Sequence, residues 1–489
     1  MALPRVSRPL LAALAITLGF LLVAAGHRHQ TGRWAPAAAW PDIRVESAYS
    51  DEIERFTHDP EGLTLYNPKK PFNYMWKNEA KLRRLAVCME RGDCHENALK
   101  FVVIGAYHCH LAVFDNYRGG EGIWCMNMIE SLERQGYTVL FAGEGDWKYM
   151  AHLHRQFPEY IRVVLADDGS LEGGPPVTKL MMENIKTKDN PNGVPAWKVG
   201  NLCVNKLTQF FRFSFFPNGL STIVGQRWSA IAEPEWKKPT DQGWRNMTYL
   251  GYAIPDEDPE IIPFHDRPMR AYILSKRVQY FYDVYGKPMI GRDQITRAYH
   301  ELRQEFPTFE FVGAFIDDRS KEQHEALGPM EIPEGVRNLG KLGPEAWAHE
   351  VSNSRAMVGI GFPVSSPSPY QALARGVPFI NPHRINEGHD PNDPYTWFIS
   401  QHEFLRILSP PEVYQYPEYD YDAFVDAIRQ AMTHEMKPHL LERLTRKALD
   451  QRMRDWVEAD WRHAASVILE NRLNGHETEY GPSVGVFEL

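Results

Sequence analysis

The chain contains few cysteines and carries no excess of positive charge, and each shortage excludes a class of protein. Five of its 489 residues are cysteine and no two of them form a CxxC pair, so a structural zinc site is not expected. Lys and Arg number 54 against 63 Asp and Glu, and the formal charge of −9 argues against a general nucleic-acid binder. The sequence also lacks an HExxH motif, a P-loop and a complete GxGxxG, so protease and nucleoside-triphosphatase functions lose their support.

The chain does contain enough apolar sequence for a large core. Hydrophobic residues make up 43% and charged residues 24%, which excludes a disordered chain. At about 150 residues per domain, the length indicates two domains plus additional segments. The number of cysteines is odd, so at least one thiol is unpaired or bonds to another chain. Cys88 and Cys94 are close enough in sequence to close a small disulfide loop in an oxidising compartment.

The first residues predict a secretory route. Residues 9–26 carry no charge and span about 27 Å as a helix, which indicates a signal anchor after a cytoplasmic tail of residues 1–8. The small residues at 24–26 leave a cleaved signal peptide as the alternative. In both cases the rest of the chain enters the secretory lumen, where Asn246 of an Asn-Met-Thr sequon is the expected glycosylation site.

Strand and helix patterns alternate after a Pro- and Ala-rich stem at residues 27–71. Such alternation is typical of doubly wound parallel sheets. The sequence therefore predicts an α/β protein with two Rossmann-like domains that face a cleft, at 72–245 and 246–435, followed by C-terminal helices and a tail at 436–489. Strands are expected at 99–107, 137–141, 161–165, 271–274, 309–316, 356–361 and 378–380, and helices at 122–135, 293–305, 344–354, 368–375, 422–432 and 437–473.

One loop has the features of an anion site. The strand at 356–361 ends in Gly, and a Ser/Pro loop then leads into a helix in which Ser366 or Ser368 can be the N-cap and Pro369 fits the first turn. The amide groups and the positive end of such a helix suit a diphosphate. An ordinary strand–helix turn with a serine cap is the alternative, because such caps are common.

The same segment resembles a known enzyme family. Residues 359–382, GIGFPVSSPSPYQALARGVPFINP, are similar to the strand–loop–helix–strand segment of the N-acetylglucosaminyltransferase V family, the alpha-1,6-mannosylglycoprotein 6-beta-N-acetylglucosaminyltransferases of glycosyltransferase family 18. The resemblance extends back to residue 336 and forward to the Ser-Gln-His at 400–402, with weaker similarity between about 98 and 460. It implies a GT-B fold, a UDP-GlcNAc donor, inversion at the anomeric carbon and no required metal.

The chain departs from the family at the loop, the helix and the following strand. Acidic residues of the family are replaced by Ser365 or Ser366 in the loop and by Gln371 in the helix, and Gln371 can hydrogen-bond a ribose only as a neutral partner. His383 stands where family members carry a basic residue after Asn-Pro. These changes leave open a different donor sugar, or a relative that binds glycan without turnover.

The resemblance also implies a set of site residues. An inverting transfer needs a carboxylate base, and Glu121 of the glycine-rich loop at 117–121 matches the family's Gly-Glu pair; a first-turn Glu that complements the helix dipole is the alternative. Lys276 would neutralise the leaving diphosphate unless it is an ordinary surface lysine, and Trp124 would stack on acceptor sugars. The expected donor-binding residues are Lys276, Gly340, Leu342, Gly361, Phe362, Pro363, Ser366, Ser368, Pro369 and Gln371.

Three further motifs are candidate metal ligands. Residues 256–258 and 420–422 contain Asp-x-Asp, through which other nucleotide-sugar transferases hold Mn or Mg, but solvated acidic loops are far more common. His108 and His110 are expected on one face of a strand, and no second ligand pair has metal spacing. Neither a metal nor another cofactor is expected.

The expected function is therefore an inverting hexosyltransferase that moves GlcNAc from UDP-GlcNAc to a mannose of an N-glycan, with beta-1,6 branching implied by the resemblance. Its expected location is the Golgi membrane, as a single-pass type II protein with the catalytic part in the lumen. The expected partners are UDP-GlcNAc, a glycan or glycoprotein acceptor and the membrane, and no nucleic acid. The alternatives are a GT-B transferase with another donor or acceptor, and a non-catalytic glycan-binding relative.

Overall fold

The computed structural model describes residues 73–117, 119–143, 147–166, 209–215, 224–234, 247–254, 259–284 and 286–474. These residues form two compact units, each built on a sheet of mainly parallel strands. The first unit contains the described residues up to 254 and those from 442 onward, and the second unit contains 259–441. The predicted anchor and stem, Asn246, Cys203 and the acidic motif at 256–258 lie outside the described residues.

The first unit begins with alternating helices and strands. Its strands are β1 (Phe101–Gly105), β2 (Thr138–Phe141), β3 (Ile161–Ala166), β4 (Phe210–Ser214), β5 (Ser229–Ile231) and β6 (Thr248–Tyr249), and its first helices are α1 (Asn73–Arg91), α2 (Tyr107–Phe114), α3 (Gly120–Arg134) and α4 (Trp147–Gln156). The six strands pair in parallel in the order β2-β1-β3-β4-β5-β6. Every residue of β1 is buried, as expected for a strand covered on both faces.

Helix α3 begins two residues before the predicted start at Gly122 and ends one residue before the predicted end at Gln135. Its buried residues, among them Cys125, Met128 and Leu132, recur at helical spacing and face the core. The helix ends before Gly136, whose φ of +81° suits glycine, and the next amide, that of Tyr137, donates to the Leu132 carbonyl at 3.1 Å. The predicted helix at 122–135 and its terminating glycine are confirmed.

The second unit repeats the alternation. Its strands are β7 (Arg270–Leu274), β8 (Glu310–Gly313), β9 (Val336–Asn338), β10 (Ala356–Gly359), β11 (Phe379–Arg384), β12 (Ile399–Ser400) and β13 (Val413–Pro417), and its helices are α5 (Arg292–Glu305), α6 (Lys321–Leu327), α7 (Pro344–Ser352), α8 (Ser368–Ala374) and α9 (Tyr421–Thr433). The sheet order is β12-β11-β10-β7-β8-β9, with β13 also paired to β11, and only β12 runs antiparallel among these described pairs. Side chains of β7, β8, β10, α5 and α9 share one buried cluster.

The last helices return to the first unit. They are α10 (Arg446–Glu458) and α11 (Trp461–Leu473). Asp450 of α10 accepts hydrogen bonds from Ser131 at 2.6 Å and from Arg134 at 2.5 Å, both on α3, and Glu458 accepts one from Lys100 at 2.6 Å. In the described residues, these two helices and β6 group with the first unit, and the boundary between the units falls near residue 255.

Two secondary-structure predictions are wrong. The helix predicted at 437–473 is interrupted: Thr445 caps α10 by accepting from the Ala448 amide, and Asp460 caps α11 by accepting from the His463 amide. His108 and His110, predicted on a strand, lie on helix α2. The strand β1 ends at Gly105, and the helix begins at Tyr107. The alternation of the histidines therefore does not mark a strand.

Two disulfides stabilise the first unit. Cys88 and Cys94 are bonded, as the sequence allowed, and close the loop after α1. Cys109 of α2 is bonded to Cys125 of α3, a pair that the sequence did not indicate. The second bond fixes α2 against α3 on either side of the glycine-rich loop.

Within the described part of the chain, no helix is long and apolar enough to span a membrane. The predicted anchor at 9–26 lies outside that part.

The structure contradicts the prediction that Trp124 stacks on an acceptor sugar. Trp124 has no solvent exposure, and its ring is stacked on Phe213 of β4 with centroids 3.9 Å apart and planes 11° apart. The face that a sugar would need is covered by the protein's own core. Trp124 therefore belongs to the packing between α3 and the first sheet.

His383 is also part of a buried aromatic stack. Its ring lies parallel to that of Trp397, with centroids 3.7 Å apart, and only 4% of the residue is exposed. Burial, followed by the nearby Arg406 charge, lowers the pKa of His383 to about 4. At neutral pH the imidazole is therefore uncharged and does not replace the family's basic residue.

We expect Trp124→Ala to lower the free energy of unfolding by about 3–5 kcal/mol, because it removes a fully buried stacked indole. Trp76→Ala is the matched control: Trp76 is 59% exposed, and its loss should change stability by no more than about 0.5 kcal/mol. Urea unfolding followed by circular dichroism measures both. Equal losses would contradict the assignment of Trp124 to the core.

We expect His383 to make the protein less stable in mild acid. Its folded pKa of about 4 lies below the ordinary 6.5, so the unfolded chain binds more protons between these values and stability falls as pH decreases through that window. Between pH 7 and pH 5, wild type should lose roughly 2 kcal/mol more than His383→Gln in urea titrations. The exposed His389→Gln variant should keep the wild-type pH dependence, and an unchanged dependence in His383→Gln would refute this role.

Candidate active site

Parallel strands end along one edge of a sheet, and ligands of such sheets bind in the loops beyond that edge. In the first unit, the loop between α2 and α3 lies on the crossover from β1 to β2. In the second unit, Lys276 follows β7, Gly340 follows β9 and the loop at 361–369 follows β10. Because β10, β7, β8 and β9 are successive neighbours, these donor-binding candidates share one edge of the second sheet.

Glu121 lies in the first turn of α3 and is half-buried. The Tyr117 hydroxyl donates a hydrogen bond to Glu121 Oε2 at 2.9 Å. A Cβ added to Gly119 would lie 1.9 Å from the Tyr117 hydroxyl oxygen, and one added to Gly122 would lie 2.5 Å from the Tyr117 carbonyl. The two glycines therefore leave the space that Tyr117 fills, and Glu121 is held beside it.

His108 approaches the same loop from α2. Its ring centroid lies 5.8 Å from that of Tyr117, and the negative charge of Glu121 acts on it. Burial lowers the pKa of His108 more than this charge raises it, so the imidazole is neutral at neutral pH. The site around Glu121 thus combines one carboxylate, one phenol and one neutral imidazole.

In the second unit, the side chain of Gln401 shapes the loop at 361–369. Its Oε1 accepts from the Gly361 amide at 2.6 Å and its Nε2 donates to the Pro363 carbonyl at 3.2 Å. The Gln401 carbonyl in turn accepts from the Ser365 amide at 2.7 Å. Gly361 and Ser365 both have positive φ, +112° and +48°, so these bonds hold a backbone path that few residues adopt.

His402 and Asn381 support the same loop. His402 Nε2 lies 3.1 Å from the Ser366 carbonyl, and its backbone amide donates to Asn381 Oδ1 at 3.0 Å. Asn381 Nδ2 donates to the Ser400 hydroxyl at 2.8 Å. The Ser-Gln-His at 400–402 therefore holds the loop in place, a role that sequence reasoning missed. The resemblance to the family, which includes these three residues, was the only available signal.

The N-cap of α8 is not one of the two predicted serines. Pro367 is the N-cap residue of α8, and the Ser366 hydroxyl accepts from the Ser368 amide at 3.3 Å. Pro369 lies in the first turn, as predicted, and Gln371 is half-buried one turn further on. Helix α8 has only seven residues, so its dipole is short and the loop amides are the larger part of any anion site.

The remaining donor-binding candidates lie in loops at the same edge. Lys276 is exposed, and its carbonyl accepts from the Ile316 amide at 3.2 Å. Gly340 has a φ of +70° and open space where a Cβ would stand, and its amide donates to Asn338 Oδ1 at 2.9 Å. Leu342 is half-buried. Phe362, also half-buried, lies with its ring 5.7 Å from that of Tyr280.

The acidic motif at 420–422 has a structural role. The Asp420 carboxylate accepts from the Ala423 amide at 3.0 Å and so caps α9. Among the residues that the structure describes, no group of three or more His, Cys, Asp or Glu side chains is arranged to hold a metal ion. The motif at 256–258 lies outside them.

Comparisons with known proteins find a family match in one part of the chain. Residues 284–466 match the family model of glycosyltransferase family 18. Alpha-1,6-mannosylglycoprotein 6-beta-N-acetylglucosaminyltransferase B of Mus musculus is 25% identical over 155 residues, 30% of this chain and 20% of the relative. The A enzyme of Homo sapiens is 25% identical over 137 residues, 26% and 18% of the two chains. The matches thus span about a fifth of these relatives' length.

Solved structures show a more distant likeness. MurG of Acinetobacter baumannii aligns with a TM-score of 0.33 and 10% identity over 76% of this chain and 99% of that chain. The Thermobaculum terrenum O-GlcNAc transferase aligns with a TM-score of 0.34 and 13% identity over 95% and 84%. Such low scores carry no functional information. The family model and the sequence relatives agree with the resemblance seen in the sequence: residues 284–466 of this chain are similar to glycosyltransferase family 18.

Proposed function

We propose that the chain is an inverting glycosyltransferase of the GT-B fold class that moves GlcNAc from UDP-GlcNAc to a mannose hydroxyl of an N-glycan, forming a beta-1,6 branch. The observation that carries the proposal is the family-18 segment at 284–466, because it includes the loop at 361–369 and the residues 400–402 that hold that loop. The names of the matched relatives support the donor, acceptor and linkage.

The second unit would bind the donor. The amides of Gly361, Ser365 and Ser368 bond within the protein, so in the loop at the end of β10 the diphosphate would meet the amides of Phe362, Val364 and Ser366. The exposed Lys276 would add a cation at the end of the neighbouring β7. Both kinds of group stabilise a diphosphate as negative charge develops on it. The uracil ring would lie beyond β9, beside Gly340, which has open space where a Cβ would stand, and the half-buried Leu342.

Glu121 would be the base. The acceptor hydroxyl oxygen attacks the anomeric carbon from the face opposite the diphosphate, and the bond between that carbon and the diphosphate oxygen breaks with both electrons leaving on UDP. The hydroxyl proton passes to the Glu121 carboxylate. One displacement of this kind inverts the anomeric configuration.

A different donor sugar is the second candidate. Gln371 is neutral where the family has an acid, and the buried His383 is uncharged where the family has a base. Both differences lie in the unit proposed to bind the donor. A panel of UDP-sugars under one set of conditions separates the two candidates, because only one donor should give acceptor-dependent release of UDP.

We propose further that the protein is a type II protein of the Golgi membrane with both units in the lumen. The disulfides Cys88–Cys94 and Cys109–Cys125 support an oxidising compartment, since such bonds are rare in the cytosol.

The full chain, purified in detergent, should release UDP from UDP-GlcNAc only when a mannose-terminated N-glycan is present. Glu121→Gln should reduce turnover by about 100-fold or more, because the amide cannot take up the proton, and should leave UDP binding within twofold. Glu130→Gln, on the exposed face of the same helix, should match wild type. Wild-type turnover in Glu121→Gln would remove this residue as the base.

We also expect the activity to survive EDTA. The proposed donor site neutralises the diphosphate with Lys276 and backbone amides, so chelation of divalent cations should change turnover less than twofold. Loss of activity on chelation, with recovery on added Mn or Mg, would instead assign a metal-binding role to an acidic motif such as that at 256–258.

A further inference from the structure

The loop between α2 and α3 is built around one aromatic ring. A Cβ on Gly119 would lie 1.9 Å from the Tyr117 hydroxyl oxygen and 2.2 Å from Cζ, and one on Gly122 would lie 2.9 Å from Cδ1. Real Cβ atoms essentially never come within 3.0 Å of another heavy atom in this way. The two glycines therefore make room for Tyr117.

Tyr117 is held by hydrogen bonds at its backbone amide and at its hydroxyl. The Tyr117 amide donates to the Leu111 carbonyl in the last turn of α2 at 3.0 Å, and its hydroxyl donates to Glu121 Oε2 in the first turn of α3 at 2.9 Å. The Cys109–Cys125 disulfide joins the same two helices. Tyr117 therefore connects a fixed point on α2 to the carboxylate on α3.

This contact affects how the carboxylate can work. The hydrogen bond from the Tyr117 phenol restricts rotation about the Glu121 side-chain bonds. With Oε2 bound to Tyr117, proton transfer falls to Oε1. A base held in one orientation loses less freedom when the acceptor hydroxyl arrives.

We propose that Tyr117 is a positioning residue for Glu121, and that Gly119 and Gly122 are glycines because any side chain there would displace its ring. The inference rests on the proposed function insofar as Glu121 is taken as the base. Tyr117 itself transfers no proton: it holds the carboxylate so that Oε1 takes the proton of the acceptor hydroxyl while the bond to the diphosphate breaks.

Tyr117→Phe tests the proposal, because it keeps the ring between the two glycines and removes only the hydroxyl. We expect kcat to fall about 10- to 100-fold while the donor KM stays within twofold, since donor binding belongs to the second unit. Tyr137→Phe is the matched control. The Tyr137 hydroxyl also donates to a glutamate, Glu458, at 2.9 Å in the same unit, but away from the glycine-rich loop, and kcat should remain at the wild-type value.

A second measurement does not depend on turnover. A carbodiimide must reach a carboxyl oxygen, and in wild type the Tyr117 hydroxyl covers Oε2 of Glu121. The labelling of Glu121 at one fixed pH, followed by mass spectrometry, therefore reports on this contact. Labelling of Glu121 should rise severalfold in Tyr117→Phe and stay unchanged in Tyr137→Phe, where labelling of Glu458 should rise instead.

The two measurements separate the possible failures. A lower kcat with an unchanged donor KM and faster labelling of Glu121 in Tyr117→Phe would support the positioning role. Wild-type kcat and wild-type labelling in that variant would overturn it. If wild type releases no UDP with any donor, the proposed function fails, and unchanged labelling in Tyr117→Phe would then overturn the positioning role as well.

Discussion

A parallel strand cannot be joined to its neighbour by a tight hairpin, so parallel strands that are neighbours in these sheets are joined by crossovers that return the chain over one face. This constraint determines which loops carry the candidate functional groups in both units. The crossover from β1 to β2 carries Glu121, and the crossover from β10 to β11 carries the loop at 361–369. Covering helices bury the faces of the strands between these loops, so the strands serve as a rigid frame and the loops carry the functional groups.

The same constraint makes much of the fold predictable from sequence. Strands covered on both faces must be short uninterrupted apolar runs, and 101–105 and 356–359 stand out for that reason. Helix ends were predictable where a glycine marks them, as at Gly136. The sequence could not show where β1 ends and the helix at 107–114 begins, because the apolar residues continue across this point. Two histidines two residues apart are compatible with a strand and with a short helix.

The shape of the candidate site was harder to predict, because it depends on contacts between residues far apart in sequence. The loop at 361–369 takes its path from Gln401 and His402, which follow it by more than thirty residues. A local pattern cannot show that the amide of Gly361 needs the side chain of Gln401. Burial is equally invisible: Trp124 and His383 have the residue types of ligand-binding groups, and only packing against Phe213 and Trp397 shows that they belong to the core.

The proposed base and the proposed donor loop are therefore held by different kinds of contact. Glu121 is held from within a few residues, by Tyr117 and the two glycines that accommodate it, so the base keeps its geometry as long as that short segment is intact. The donor loop is held by distant side chains, and residues near it, such as Gln371, can change without touching the base. On this argument, departures from the family that collect in the second unit leave the contacts that hold Glu121 unchanged.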